Sequence, residues 1–221
     1  NHHARADQRV QEFNGRAKVG LIGCEPYEGG VGSLLKHVAS AKLANVRILP
    51  DDGRPLLEVL ADASLARVFI LFPDPWPKKR HHRRRLVAPS TLDRCARLLA
   101  DGGILRLATD DPAYAQAMDE VTAAHTSFRR LGGGLDRAGW RPDQAPQSRY
   151  EAKALTAGRP PVFFELERFR GRDLEVAALA APGEMDRNHA NRIGAGWWRA
   201  RIQEWAAGPF FCGRDSWLST A

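Results

Sequence analysis

Residues 67–85 read RVFILFPDPWPKKRHHRRR, and this stretch decides how the rest of the chain is interpreted. The apolar start, residues 67–72, predicts a buried β-strand. Prolines at every second position from 73 to 77 fix φ and hold Asp74 in a stiff, extended loop. Residues 78–85 then carry six Lys or Arg side chains and two histidines. The stretch therefore predicts a strand end, a rigid acidic loop and a cationic tract.

Two interpretations of this tract compete. A run of like charges is commonly no more than a solvated surface. That interpretation does not explain why a stiff carboxylate, Asp74, and a flat ring, Trp76, come directly before the charges. Backbone phosphates would satisfy the cations, and a base could be held by the carboxylate and the ring, so the stretch favours nucleic-acid binding.

On both sides of this stretch, predicted strands alternate with predicted helices up to about residue 125. This order predicts an α/β fold with a mostly parallel, twisted sheet and helices on both faces. The predicted strands are residues 19–24, 45–49, 67–72, 104–108, 126–131 and 161–169, and the predicted helices are residues 30–44, 56–60, 89–100 and 112–124.

Acidic side chains follow four of the predicted strands. They are Glu25, Asp51 and Asp52, Asp74, and Asp110 and Asp111. In open parallel sheets the ligand lies beyond the carboxyl ends of the strands, so these residues are candidates for a binding site. The alternative is that Asp and Glu simply occupy turns and helix N-caps, which they favour.

Composition narrows the class of protein. The 221 residues are 43% hydrophobic and 27% charged, which suits a globular α/β domain rather than a disordered chain. No apolar run is long enough for a membrane span, and no secretory signal core is visible. The net charge of +7 favours a polyanionic partner. Three scattered cysteines indicate neither a disulfide scaffold nor a zinc ribbon, and a reducing cytoplasm is the simplest compartment.

The tract FPDPWPKKRHHRRR resembles the signature of the bacterial tRNA (guanine-N7)-methyltransferases of the TrmB family. Four further blocks are similar to family segments in the same order, and the resemblance covers about residues 17–170. These blocks are IGCEPYEGGVGSLL, NVRILPDDGRPLLEVL, GGILRLATDD and SRYEAKALTAGRPPVFFELER. The resemblance implies a Rossmann-like class I methyltransferase that takes S-adenosylmethionine as cofactor and tRNA as substrate, with no metal and no membrane.

The resemblance also implies roles for individual residues. Glu25 and Asp52 match cofactor-binding positions, with Asp51 as the neighbouring contender, and Asp74 matches a position that binds cofactor and is catalytic. The substrate-binding positions match Lys78, Asp110, Ser148, Arg149, Tyr150 and Glu151. The RNA-contacting positions match Arg80, His81, His82, Arg83, Arg84 and Arg85. The implied reaction is transfer of a methyl group to N7 of the guanine at position 46 in tRNA numbering, with a monomer or a homodimer both open.

One family feature is not found in the sequence. A Glu-x-Gly-x-Gly-x-Gly-like cofactor loop should fall near residue 1, where the chain reads NHHARA, and no glycine precedes Gly15. The first strand of the sheet is therefore expected to be missing or replaced. Upstream sequence has been lost, or the chain is a non-catalytic tRNA-binding paralogue, or residues 192–196 (RIGAG) substitute for the loop.

Residues 171–221 lie outside the resemblance and form a predicted C-terminal extension to a domain of residues 1–170. Trp198, Ile202 and Trp205 lie at helical spacing, which predicts an amphipathic helix packed on the domain. Stacking of these rings on a cofactor or a base is the alternative.

Overall fold

The computed structural model describes residues 19–137, 139–143 and 145–169. Three predictions lie outside the described residues: the missing cofactor loop near residue 1, its possible substitute at 192–196, and the helix around Trp198. The domain boundary near residue 170 stays a prediction. The described residues belong to two compact units, one ending at Val59 and the other beginning at Leu60.

The first unit is a β-α-β-α segment. Its elements are β1 (Leu21–Cys24), α1 (Glu28–Ser40), β2 (Val46–Leu49) and α2 (Arg54–Val59). β1 and β2 pair in parallel, with Leu21 opposite Val46 and Cys24 opposite Leu49. Because both strands end at the same edge, Glu25 and the Asp51–Asp52 pair follow that edge together. Each of these four elements was predicted from the sequence.

The second unit carries a four-stranded sheet. Its elements are β3 (Leu65–Leu71), a 3₁₀ helix (Lys79–Arg84), α3 (Pro89–Leu98), β4 (Leu99–Thr109), α4 (Pro112–Ala124), β5 (Phe128–Gly133), a 3₁₀ turn (Leu135–Arg137), α5 (Arg149–Thr156) and β6 (Val162–Arg168). The strand order is β3-β4-β6-β5. β3 and β4 pair in parallel, while β6 runs antiparallel to both β4 and β5. Three of the four strands therefore share one direction, and the predicted α/β class with a mostly parallel sheet is confirmed.

The core of this unit lies on β4, β6 and the helices packed against them. Leu105 and Leu107 of β4 point to the same face because alternate strand residues do so, and both are fully buried. Phe164 of β6 and Met118 of α4 join them in one apolar cluster. Burial of each such side chain contributes roughly 1.5–3 kcal/mol, which fixes the sheet as a rigid base for the loops at its edge.

The junction between α3 and β4 differs from the sequence prediction. The helix predicted at 89–100 ends at Leu98, and the strand predicted to begin at residue 104 begins at Leu99. Gly102 takes a φ of +75° inside the strand. A shift in β3–β4 register between Leu65 and Arg67 accommodates this irregularity.

The carboxyl edge of the sheet gathers most of the predicted substrate residues. The loop that begins at Phe72 leaves β3 there, and Asp110 leaves β4 there. Since β6 is antiparallel, its first residue, Val162, lies opposite Thr109 at the same edge. The helix α5 precedes β6 in the chain, so the connection between them lies at this edge as well. No helix in the described part of the chain is long and apolar enough to cross a membrane.

Candidate active site

The loop after β3 is held in a strained conformation. Phe72 has a φ of +54° and Trp76 a φ of +46°, in the left-handed region that bulky residues rarely occupy. Such residues persist only where the surroundings hold them, at a cost of about 1–3 kcal/mol each. The Phe72 N–H donates to the Ala108 carbonyl at 2.8 Å, which ties the loop to the end of β4. The loop therefore bends at both ends and presents Asp74 between the bends.

The Asp74 side chain is exposed. Its Oδ1 accepts a hydrogen bond from the Trp76 N–H at 3.2 Å, which fixes the carboxylate orientation within the loop. Its Oδ2 has no hydrogen-bond partner among the described residues. The carboxylate is thus oriented by one oxygen and has the other available, and it does not turn inward into apolar packing.

Trp76 organises the start of the cationic tract. The Arg84 guanidinium lies over its ring, with Cζ 4.9 Å from the ring centroid. The His81 ring meets it edge-on with 5.7 Å between centroids. Residues 79–84 form a 3₁₀ helix, which spreads their side chains around a short axis. The exposed cations of the tract are Lys78, Lys79, Arg80, Arg83 and Arg84, with His82 also exposed and His81 half-buried.

Arg85 differs from the rest of the tract because it is buried, with 8% of its surface exposed. Its Nε donates to the Pro75 carbonyl at 2.9 Å. Its guanidinium lies over the Tyr114 ring, 4.7 Å from Cζ to the centroid. Arg85 therefore lies beneath the loop, while its neighbours face the solvent.

The segment Ser148–Arg149–Tyr150–Glu151 forms the start of α5. The Ser148 Oγ accepts from the Glu151 N–H at 3.0 Å, and the Glu151 carboxylate accepts from the Ser148 N–H at 3.3 Å. This reciprocal pair is a capping box, which satisfies two backbone donors at the helix start. Arg149 and Tyr150 are exposed, so the two inner positions of the segment are the ones that can reach a substrate.

A salt bridge holds this helix start in place. Arg141 Nε donates to Glu151 Oε1 at 2.7 Å and its Nη2 donates to Oε2 at 3.2 Å. The Glu151 side chain is 5% exposed, so the pair is largely shielded on the carboxylate side. The hydrogen bond to Glu151 raises the pKa of Arg141 above its ordinary value. Arg141 was not singled out in the sequence, because no spacing rule links it to Glu151.

Asp110, the predicted substrate contact after β4, is paired with Arg159. Arg159 Nη2 donates to Asp110 Oδ2 at 3.0 Å, and its Nε donates to the same oxygen at 3.2 Å. The Arg159 side chain is half exposed. One oxygen of Asp110 is therefore engaged by a basic residue that sequence reasoning missed.

Glu25, in the first unit, lies at the end of β1 and faces the start of α1. Its Oε1 accepts from the Tyr27 N–H at 2.9 Å. Gly30 in the first turn of α1 allows a close approach, since a Cβ there would lie 3.1 Å from the Glu25 carboxyl carbon. The carboxylate is packed against backbone and keeps hydrogen-bonding capacity on Oε2.

Asp51 and Asp52 follow β2 in the same unit. Asp51 Oδ1 accepts from the Asp52 N–H at 2.7 Å, and the Asp52 carboxylate pairs with Arg54 at 2.9 Å between Oδ2 and Nε. Desolvation, together with the charges of Asp52 and Asp51, raises the pKa of the Cys24 thiol to about 11. Of the two aspartates, Asp52 is already neutralised by a cation.

No group of three side chains suited to a metal ion occurs in the part of the chain that the structure describes. In the first unit, the carboxylates that follow β1 and β2 suit an organic ligand with hydroxyl or amine donors. In the second unit, the exposed cations that follow the Asp74 loop suit a phosphate-bearing ligand.

Comparisons with known proteins find matches among methyltransferases. A protein-family model described as "Putative methyltransferase" (Methyltransf_4) matches residues 10–163. A tRNA (guanine-N(7)-)-methyltransferase of Paramagnetospirillum magneticum is 50% identical over 151 residues, which cover 68% of this chain and 63% of that protein. Proteins with the same name from Rhodospirillum rubrum and Ruegeria pomeroyi are 45% and 46% identical, covering 79% and 69% of this chain and 69% and 64% of theirs. The chain thus spans roughly two thirds of the length of these relatives.

Proposed function

We propose that this chain, which belongs to the bacterial tRNA (guanine-N7-)-methyltransferase family, transfers a methyl group to N7 of a guanine in the variable loop of tRNA. Family membership follows from the match over residues 10–163 and from the relatives at 45–50% identity. The methyl donor of the proposed reaction is S-adenosylmethionine. We expect the protein to act in the cytoplasm, where its tRNA substrate is found.

Glu25 and Asp52 are the proposed cofactor residues. The Glu25 carboxylate can still accept hydrogen bonds at Oε2, which suits a ribose diol. In dinucleotide sites such a diol donates two hydrogen bonds to one carboxylate. Asp52 pairs with Arg54, and the second lone pairs of its oxygens can still accept from an adenine amine. When bound, S-adenosylmethionine supplies an electrophilic methyl group on a sulfonium. The residues present fit this cofactor, with Glu25 as the stronger candidate.

Asp74 is the proposed catalytic residue. Guanine N7 carries a lone pair and no proton, so the reaction needs no general base and depends on positioning. The Asp74 carboxylate accepts from the guanine N1–H and the exocyclic amine. This contact stabilises the positive charge that develops on the purine during methyl transfer. It also discriminates against adenine, which lacks that pair of donors.

The exposed cations bind the RNA backbone. Lys78, Arg80, Arg83 and Arg84 continue directly from the loop that carries Asp74, so phosphates next to the target base would meet them. Lys and Arg contacts to phosphates supply affinity that is independent of sequence and falls with salt. Arg149 and Tyr150 at the start of α5 extend the substrate surface at the same edge of the sheet.

The observation that carries this proposal is the single carboxylate of Asp74, oriented by the Trp76 N–H and exposed at the carboxyl edge of the sheet. The test has two parts. The chain is titrated with S-adenosylhomocysteine by calorimetry, and transfer of radiolabelled methyl groups to unmodified tRNA is then measured, with the product mapped to N7 of guanine. Binding and transfer support the proposal. Binding of tRNA without transfer would instead identify a non-catalytic paralogue.

A further inference from the structure

The cationic tract contains one arginine whose position does not suit contact with RNA. Arg85 is 8% exposed, whereas Arg80, Arg83 and Arg84 are all exposed. A buried guanidinium offers no surface to a phosphate on an RNA backbone. The sequence shows six equivalent cations, and the fold separates this one from the others.

Arg85 is hydrogen-bonded directly to the loop that presents Asp74. Its Nε donates to the carbonyl of Pro75, the residue that follows Asp74. Its backbone N–H donates to the His82 carbonyl at 3.0 Å, which places it at the end of the 3₁₀ helix. The side chain therefore joins the two ends of the segment 75–85 from beneath.

The ring under Arg85 is itself fixed. Tyr114 is fully buried in the first turn of α4. Its backbone N–H donates to Asp111 Oδ1 at 2.7 Å, and its hydroxyl accepts from the Val87 N–H at 2.9 Å. Through Arg85, the Pro75 carbonyl is thus connected to the helix that starts at the carboxyl end of β4.

We propose that Arg85 is a positioning residue, which sets the height and direction of the Asp74 loop over the sheet edge and makes no contact with RNA. This inference rests on the proposed function of Asp74. It assigns to Arg85 a role different from that of the exposed cations beside it. A shift of the loop by even a fraction of an ångström would misplace the Asp74 carboxylate and slow a reaction that depends on alignment.

A guanidinium is suited to this role and an ammonium is not. Its planar group stacks on an aromatic face and donates from Nε in the same geometry, which a flexible ammonium cannot reproduce. Arg85 Nη2 is buried and has no hydrogen-bond partner among the described residues. The stack on Tyr114 and the bond to Pro75 therefore determine where the side chain lies.

The test compares Arg85→Lys and Arg85→Gln with Arg83→Lys and Arg83→Gln as matched controls. Steady-state methyl transfer gives kcat and the KM for tRNA, and binding of tRNA is measured across a series of salt concentrations. We expect Arg85→Lys, which keeps the charge, to lower kcat at least tenfold with KM changed less than twofold. We expect Arg85→Gln to leave the slope of log K against log salt unchanged, whereas Arg83→Gln lowers it by about 0.7–0.9 for one lost phosphate contact.

Opposite results would overturn the inference. A normal kcat in Arg85→Lys would show that Arg85 does not position the loop. A reduced salt slope in Arg85→Gln equal to that of Arg83→Gln would show that Arg85 is an RNA contact. A helical circular dichroism signal equal to that of the unmodified chain shows that a variant is folded. If Arg85→Lys does not fold, kcat is measured in Arg85→Gln instead. Hydrogen exchange of the Phe72 and Trp76 amides, which are the hydrogen-bonded donors of the loop, decides the matter without activity. Exchange should be faster in Arg85→Lys than in Arg83→Lys, and equal rates in the two variants contradict the inference. This comparison needs no methyl transfer. A chain that transfers no methyl groups would refute the proposed function, which is a separate outcome.

Discussion

The Tyr150 ring stacks on the Phe72 ring, with 6.2 Å between their centroids and 20° between their planes. Phe72 is the first residue of the loop that presents Asp74, and Tyr150 lies in the first turn of α5. The Phe163 ring of β6 meets Phe72 edge-on at 6.5 Å between centroids, so Phe72 is held from the sheet as well. The loop that carries the catalytic candidate and the helix that carries substrate candidates are therefore packed as one structure.

The first prediction concerns Asp74. Asp74→Asn keeps the side-chain shape and an oxygen that accepts from the Trp76 N–H, but it removes the charge that favours a cationic purine. We expect methyl transfer to fall by at least about a hundredfold, the scale of losing one oriented electrostatic contact in a transition state. Affinity for tRNA should change less than twofold in a filter-binding assay.

The matched control for Asp74 is Asp93→Asn, which removes the same charge from an exposed carboxylate that pairs with His125. Its methyl transfer should equal that of the unmodified chain. Near-normal turnover in Asp74→Ala would refute the catalytic assignment.

The second prediction concerns the stability of α5. Glu151→Ala removes both the salt-bridge partner of Arg141 and half of the capping box. Because the Glu151 carboxylate is buried and Arg141 is partly exposed, we expect a loss of about 2–3 kcal/mol in the free energy of unfolding, measured with urea. Glu120→Ala, on the exposed face of α4, should cost less than about 0.5 kcal/mol. Equal losses in the two variants would show that the salt bridge does not stabilise the fold.

The third prediction concerns the contact between Glu25 and α1. An alanine Cβ at Gly30 would lie 3.0–3.3 Å from three atoms of the Glu25 side chain, whereas one at Gly32 would meet nothing within 4 Å. Gly30→Ala should displace the carboxylate and weaken S-adenosylhomocysteine binding about three- to tenfold, the scale of one weakened hydrogen bond.

Gly32→Ala is the control for this effect because it adds the same methyl group to the same helix. Both substitutions raise helix propensity by a similar amount, so a difference between them reports the Glu25 contact alone. Calorimetry that finds equal affinities in the two variants would remove Glu25 from the proposed cofactor site.

The fourth prediction concerns the reactivity of Cys24. Its sulfur lies against Gly53, where a Cβ would be only 3.2 Å away, and its pKa is raised to about 11. A raised pKa keeps the thiol protonated, so at pH 8 its thiolate fraction is about a hundredfold below that of a thiol with a pKa near 9. Alkylation by iodoacetamide, followed by peptide mass spectrometry, should be correspondingly slow.

The charge of Asp52 contributes to this shift, since a nearby carboxylate disfavours the thiolate. Asp52→Asn should therefore lower the Cys24 pKa and speed alkylation at pH 8, while Asp62→Asn should not. If Asp52→Asn leaves the rate unchanged, the Asp52 charge does not act on the thiol.

The local elements could be predicted because their signals are local. The apolar run at residues 67–72 predicted β3, and Pro112 as a helix-start residue predicted α4. Both predictions match the observed bounds within two residues, because apolar periodicity and helix-start residues act over one or two turns. The α5 helix was not predicted although Ser148 and Glu151 have capping-box spacing, because this stretch was interpreted only through its resemblance to a substrate-binding segment.

The alternation of strands and helices, the stiff Asp74 loop and the family resemblance could all be read from the sequence, because each depends on residues that are close together along the chain. Which members of a charged set face the solvent depends on the tertiary structure. It turned Arg85 inward onto Tyr114, paired Arg141 with Glu151, and paired Arg159 with Asp110. Each of these contacts joins residues 10 or more positions apart in sequence, and its energy depends on burial and distance, which no local pattern encodes.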